Sequence, residues 1–235
     1  MSDSVPTTVT DALADVPVDG ATALEAGAGV GNGTAGLLAA GAKTVYSITD
    51  ERDHAETVRE RCPRATVLCA DLQSIPIPDD SINVVLAHGL FNVLPNVTVD
   101  AVAAELTRVA APGGWLVIDD YAPHPPDSRI RQLYAVENAL TELTEARPAY
   151  VFYPSKELRA LFGGYGWSHK ETTDLLRPVP WTQEHMRAHV DAARRAATDM
   201  PNEVADPLLS RAEQLADEGD DPTSRMYSLA LRYVP

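Results

Sequence analysis

The sequence predicts an α/β fold: a mostly parallel sheet with helices on both faces. Three observations predict it. Short apolar runs alternate with helix-spaced segments through residues 20–121. A cluster of glycines follows the first run at once. The run INVVLA (82–87) is apolar without alternation, as a strand covered on both faces is.

In order, ATALEA (21–26) reads as a buried strand, and residues 32–40 as a helix. TVYSI (44–48) is a second strand, followed by a helix over 52–61 with its charges on one side. TVLCA (66–70) and INVVLA (82–87) are the third and fourth strands. Val99, Val102, Ala103, Leu106 and Val109 have helical spacing, and Pro112-Gly113-Gly114 stops that helix before a fifth strand, WLVID (115–119). Strands alternating with helices imply right-handed crossovers. Beyond Tyr121 a loop leads to a helix over 129–146, with Asp127-Ser128 as expected caps. Ser155 is the expected cap of a helix over 156–162 closed by Gly163-Gly164. HKETTDLLR (169–177) reads as a sixth strand, residues 183–198 and 203–217 as charged helices, and SRMYSLALRYV (224–234) as a last strand.

The chain has 235 residues, 45% hydrophobic and 23% charged, so it can bury a core without disulfide or metal staples. No run of eighteen apolar residues exists, so no membrane span is expected. MSDSVPTTVTDALADVP lacks the basic start and apolar stretch of a secretory leader, which makes an intracellular, cytoplasmic protein the expectation. There are 34 acidic residues against 19 basic ones, and only three lysines, Lys43, Lys156 and Lys170. An acidic, lysine-poor surface of this kind resembles proteins of salt-in halophiles. Molar salt shrinks the Debye length to about 3 Å and screens the self-repulsion. No basic patch offers itself to phosphates, so nucleic acid is not an expected partner. Cys62 and Cys69 have no histidine pair at ligand spacing beside them, and no metal site is expected.

The informative segment is Leu24-Glu25-Ala26-Gly27-Ala28-Gly29-Val30-Gly31-Asn32-Gly33-Thr34, where the first strand becomes the first helix. Glycines there allow a sharp turn with positive φ and let a ligand lie against bare main chain. In an open parallel sheet, the carboxyl ends of the strands are where ligands bind. Two readings compete. Gly31-Asn32-Gly33-Thr34-Ala35-Gly36 fits the dinucleotide pattern GxGxxG, with Asp50 nineteen residues after Gly31, but it starts five residues too late after the strand. Gly27-x-Gly29-x-Gly31 starts in the right place and is preceded by an acid, Glu25, which a pyrophosphate would not favour and a cationic ligand tolerates.

On these residues the chain resembles the class I S-adenosylmethionine-dependent methyltransferases. LEAGAGVGNGT is similar to that family's first motif. ADLQSIPIPDDSINVVLAHGLFNVLPN (70–96) and ELTRVAAPGGWLVIDD (105–120) are similar to two later stretches of it, in the same order. The resemblance covers about residues 20–120, and the segment up to Trp167 looks like the small-molecule, quinone-biosynthesis type. It implies a Rossmann-like seven-stranded, mostly parallel sheet with an antiparallel last strand. It also implies one domain over 1–235 with its core at 20–121.

The resemblance further implies S-adenosylmethionine as cofactor, methyl transfer by in-line displacement, and a small-molecule acceptor. Gly27, Gly29 and Gly31 would wrap the methionine part, with Glu25 beneath them. An acid ending the second strand would take the ribose hydroxyls; here Thr49 stands at that place and Asp50 follows, and Asp50 is the favoured residue. Asp71 would accept from the adenine amine, the Leu72 backbone N–H would face the ring, and the backbone at His88 would meet the methionine end. Asn83 stands where the family often has Asp and reads as structural. No catalytic residue is assigned; His88, Tyr121 and His124 are candidate bases. Residues 122–154 and 180–222 are candidate substrate covers, with Trp181, His185, Met186 and His189 lining the second or simply packing it. AHGLFNVL (87–94) lacks the motif of enzymes that methylate base amines, and no thiol cluster suggests arsenite. Two other functions stay open: a non-catalytic cofactor-binding sensor or inactive subunit, and a nicotinamide-dependent oxidoreductase.

Overall fold

The computed structural model describes residues 4–235; residues 1–3, part of the expected single domain and of the N-terminal stretch expected not to be a secretory leader, lie outside the described residues. The elements are α1 (Thr7–Ala12), β1 (Thr22–Ala26), α2 (Asn32–Ala39), β2 (Thr44–Thr49), α3 (Arg52–Arg61), β3 (Thr66–Cys69), β4 (Ile82–His88) and, after a 3-10 turn at Phe91–Val93, α4 (Val99–Val109) and β5 (Ala110–Tyr121). They continue as α5 (Arg129–Glu145), α6 (Ser155–Gly164), β6 (Trp167–Leu176), α7 (Gln183–Ala196), α8 (Asn202–Asp217) and β7 (Met226–Tyr233).

The sheet has the order β3-β2-β1-β4-β5-β7-β6. β1 to β5 pair in parallel, and β7 is antiparallel to both β5 and β6. This is the seven-stranded, mostly parallel Rossmann-like arrangement with its last strand reversed. Pleating splits β1 between the two faces. Leu24 and Ala26 join the core beneath α4 and α6, while Ala23 packs with Leu37 and Val9 of α2 and α1. Glu25, two residues from Ala23, therefore points toward α2. In β4, Ile82 and Val84 to Ala87 are all buried, as a strand covered on both faces requires.

Three local expectations are corrected. Pro112-Gly113-Gly114 does follow the end of α4, but β5 already begins at Ala110. Ala110 pairs with Ile82 and Trp115 with Val84, so the Pro-Gly-Gly segment is the extra length of a bulge. Ser155 does not cap α6: Pro154 holds that position, and Ser155 opens the helix. Ser128 sits at the N-cap of α5, yet its hydroxyl donates to the Pro125 carbonyl instead. The orphan Ile130 N–H is taken by Asp221, 2.8 Å away and from the far side of α8.

α5, α7 and α8 pack on one another through a second core containing Leu133, Val190 and Leu215. Tyr121, Leu176 and Met226 join this core, and they are the ends of β5, β6 and β7 nearest the carboxyl edge of the parallel strands. The helical layer therefore sits on the same edge as the glycine loop. The short N-terminal α1 packs instead against the side of the sheet, its Val9 touching the edge of Gly36. Among the described residues no helix is long and apolar enough to cross a membrane.

Candidate functional site

The β1–α2 turn bends at glycines whose φ angles are +74° (Gly27), +46° (Gly29) and +81° (Gly31). Side chains other than Gly rarely tolerate these values. The bend is pinned by Ala28 N–H donating to the Ile48 carbonyl at 2.8 Å and Gly31 N–H to the Ala28 carbonyl at 2.7 Å. Above Gly29 there is open space, since an added Cβ would meet nothing within 4 Å. Leu90, just past β4, packs against Gly27 and walls the other side.

Glu25 lies beneath this turn and is 1% exposed. Its carboxylate accepts from Gly33 N–H at 2.8 Å, from Thr34 N–H at 2.7 Å and from the Thr34 hydroxyl. It is thus the acceptor for the open N-terminus of α2, reached from the strand rather than from the helix's own cap residue. Burial pushes its pKa up to about 7, against the lowering effect of the Thr34 bond and of His88. Gly33, which in the sequence fits only the dinucleotide-like pattern, is explained here: a Cβ on it would stand 2.4 Å from Glu25 Oε1 and 2.9 Å from Leu86.

At the end of β2, Thr49 is buried and its hydroxyl accepts from Glu51 N–H at 3.3 Å, whereas Asp50 is exposed. Glu51, not Asp50, occupies the N-cap of α3. Asp71 is exposed in the turn after β3, its carboxylate accepting from Gln73 N–H at 2.8 Å, and Leu72 is half-buried against the main core. Asn83 Oδ1 accepts from Thr22 N–H at 3.0 Å, tying β4 to the start of β1.

The loop that carries Asp71 and Leu72 is held by Arg108, which lies in the 105–120 stretch but has no role readable from sequence. Arg108 of α4 donates to the Ile75 carbonyl at 2.8 Å and to the Ile77 carbonyl at 3.0 Å, and Glu105 accepts from Ile75 N–H at 2.9 Å. Arg108 also bonds Glu105 and Asp79, and its hydrogen bond holds the Glu105 carboxyl below its usual range. Replacing Arg108 by Ala should cost about 1–3 kcal/mol, since two carbonyls lose their donor. It should also weaken nucleoside binding several-fold; urea melts and calorimetry measure both, and unchanged affinity would show that the loop holds itself.

His88 ends β4. The register pairs Glu25 with Leu86, so His88, two residues on, comes level with Gly27. Its Nδ1 lies 2.7 Å from Oδ2 of Asp119, which is wholly buried, while the His88 side chain is 20% exposed. Next to it, Asp120 accepts from Phe91 N–H at 2.9 Å, and burial together with Asp119 raises its pKa well above the usual carboxylate range. Asn92 is buried with both amide atoms unpartnered, while its carbonyl accepts from Val151 N–H of the first insertion at 2.9 Å. Two acids ending an otherwise apolar strand, WLVIDD, are the signal that was available in the sequence for this cluster.

The other candidates lie further out. His124 is buried, stacked on Tyr134 at 5.3 Å and edge-on to Phe152 at 4.6 Å, and burial lowers its pKa to about 4. Tyr121 packs on Trp181 at 4.9 Å, and burial raises its phenol. Trp181 and Met186 are core residues, His185 completes a capping box with Thr182, and His189 lies 2.8 Å from Glu137. Cys62 is buried, Cys69 exposed, and both are free.

Comparison with known proteins places this geometry. Residues 24–118 match the family described as a methyltransferase domain. The demethylmenaquinone methyltransferase of Clavibacter sepedonicus is 32% identical over 166 residues, covering 66% of this chain and 63% of that protein. The malonyl-[acyl-carrier protein] O-methyltransferase of Halorhodospira halophila is 28% identical over 212 residues, covering 76% of this chain and 68% of its own length. The first of these relatives is thus spanned over less than two thirds of its length. Among solved structures, the YcgJ protein of Bacillus subtilis has the same fold, with a TM-score of 0.67 at 13% identity over 97% of this chain and 99% of that one. The matched residues 24–118 hold the glycine turn, Glu25, the Asp71 loop and His88, so the part of the chain that is similar to a methyltransferase domain is the part that builds the site.

Proposed function

We propose that the chain transfers a methyl group from S-adenosylmethionine to a small-molecule acceptor by in-line displacement at the carboxyl edge of β1, β4 and β5. The observation that carries this reading is the bare turn at Gly27–Gly31, open above Gly29 and seated on Glu25. The cofactor's contribution is an electrophilic methyl on a cationic sulfur. The chain's part is mainly alignment, which is worth up to about 7–11 kcal/mol in favourable cases. In this reading Gly27, Gly29 and Gly31 hold the methionine part, Asp71 and the Leu72 N–H take the adenine, and Asp50, with Thr49 beside it, takes the ribose.

The same geometry argues against the nicotinamide reading. A pyrophosphate would need the free N–H groups at the start of α2. Those of Gly33 and Thr34 are already occupied by the Glu25 carboxylate. The names of the two curated relatives, for demethylmenaquinone and for malonyl-[acyl-carrier protein], support an acceptor that is not nucleic acid. We further read the layer of α5, α7 and α8 as the acceptor's cover, supported by its seat on the same sheet edge and by the Val151–Asn92 bond that ties it to the site. The acid-rich, lysine-poor composition supports work in a cytoplasm of high salt.

Calorimetry with S-adenosylhomocysteine in molar KCl tests the reading; the expected result is saturable heat at sub-millimolar ligand, and none would contradict it. Asp71→Ala should weaken that binding by about 1–3 kcal/mol, because the adenine amine loses its acceptor. Equal affinity in the variant would remove Asp71 from the site.

A further inference from the structure

We propose that His88, held by Asp119, takes the proton of the methyl acceptor, and that the acceptor is therefore a hydroxyl compound (a phenol, enol or hydroquinone) whose oxygen starts protonated. The proposal rests on the methyltransferase reading of the glycine turn and deepens it by naming the substrate class.

Three observations carry it. Asp119 is wholly buried, and its Oδ2 lies 2.7 Å from His88 Nδ1. A carboxylate at that distance fixes the proton on Nδ1 and leaves the Nε2 lone pair as the ring's working end. Nε2 has no hydrogen-bond partner among the described residues, and the side chain is one-fifth exposed, so that end is accessible. His88 also stands level with Gly27, at the end of the cofactor turn where the methionine part would lie, between β1 and β5.

The neighbouring groups have other work. Glu25 is committed to the start of α2, and Asp120 to the Phe91 N–H. His124 is enclosed by Tyr134, Phe152 and Trp181, with both ring nitrogens shut away from solvent. An acceptor that reacts as a carboxylate or an unprotonated amine needs no such base, and a buried carboxylate orienting a partly exposed imidazole would then serve no step.

A lone pair on the acceptor oxygen forms the bond to the methyl carbon. The carbon–sulfur bond breaks with its electron pair going to sulfur, which turns from cationic sulfonium to neutral thioether. The hydroxyl proton passes to His88 Nε2, and the resulting imidazolium is stabilised by the Asp119 carboxylate until it releases the proton to water. Asp119 is a positioning residue in this scheme and touches no substrate.

The groups facing His88 are Asp119 and Asp120 from β5 and Glu25 from β1. Burial alone would lower its pKa, but the Asp119 hydrogen bond and the three negative groups outweigh it and raise it above 6.5. The base is the neutral ring, so activity should rise as the ring loses its proton above that value, with the Glu25 carboxyl, pushed up to about 7, ionising in the same range.

The test uses the full chain in molar KCl, with catechol and 1,4-naphthohydroquinone as hydroxyl probes and aniline (a weakly basic amine, unprotonated at neutral pH) and malonate as probes that need no base. S-adenosylhomocysteine release is the readout. Hydroxyl probes should turn over and the other two should not. His88→Gln should bind S-adenosylhomocysteine within about twofold of the parent yet lose about 10²–10⁴-fold in turnover, the usual yield of a positioned base. Asp119→Asn should move the acid limb of kcat/KM downward, which a merely structural role would not do. The parent's own pH profile reads the dyad without any substitution. A parent that binds S-adenosylhomocysteine but methylates only aniline or malonate, or none of the probes, overturns the proposal. So does His88→Gln with undiminished turnover, or a parent profile flat from pH 6 to 9. Failure of the parent to bind S-adenosylhomocysteine would instead remove the methyltransferase reading itself.

Discussion

Replacing Glu25 by Ala should both destabilise the fold by at least about 3 kcal/mol and abolish S-adenosylhomocysteine binding. The substitution removes the shared acceptor of three buried donors, Gly33 N–H, Thr34 N–H and the Thr34 hydroxyl. Each buried donor left unpaired costs about 1–3 kcal/mol. The Thr34 hydroxyl also lies 2.6 Å from Ser47 Oγ, so it keeps one partner, and the full sum is not reached. The turn at Gly27–Gly31 loses its floor at the same time, which is why affinity should fall with stability.

The same residue gives a pH dependence with a definite sign. Its carboxyl is pushed from 4.5 up to about 7, so the fold holds this proton more tightly than the unfolded chain does. The contribution is fully present below about pH 4.5 and is lost as pH rises through about 7, in total about 3 kcal/mol at that shift. Urea midpoints across this window should show a falling component that Glu25→Gln lacks; a component that rises with pH would mean the capping bonds, not burial, dominate.

Gly33→Ala should be the next largest effect, at about 1–3 kcal/mol with a matching loss of affinity. Gly33 is an ordinary helical position, so backbone strain is not the reason. The reason is room: the new methyl would meet Glu25 Oε1 at 2.4 Å and Leu86 at 2.9 Å, and both side chains are buried with nowhere to go. Gly29→Ala makes the contrast, because its Cβ would enter open space. There the cost to the fold is only the backbone strain of a side chain at φ +46°, about 1–2 kcal/mol, while the ligand's path is obstructed. Thermal melts and calorimetry on both variants separate the two effects; equal melting of Gly33→Ala and the parent would show that Glu25 can move.

The strands and helices of residues 20–121 were legible because each is dictated locally, by an apolar run or by a 3.6-residue spacing such as Val99 to Val109. The position of the glycine turn was legible for the same reason. What the sequence concealed are relations across the sheet. His88 and Asp119 are 31 residues apart and meet only because β4 and β5 pair in register. Arg108 holds a loop about thirty residues before it, and Asp221 caps a helix ninety-one residues earlier. Ser155 and Ser128 failed as caps because proline geometry before them already set the helix start, and a nearer carbonyl took the hydroxyl. Trp181 and Met186 are packed in the core of the helical layer, the plainer of the two expectations for them.

The most direct test of the account is a crystal structure of the full chain grown with S-adenosylhomocysteine. The expected result is the ligand's amino-acid end against the main chain of Gly27, Gly29 and Gly31, its adenine beside Asp71 and Leu72, and its sulfur within reach of the face that His88 shares with Asp119. A ligand bound elsewhere, with that turn empty or filled by Leu90, would contradict it.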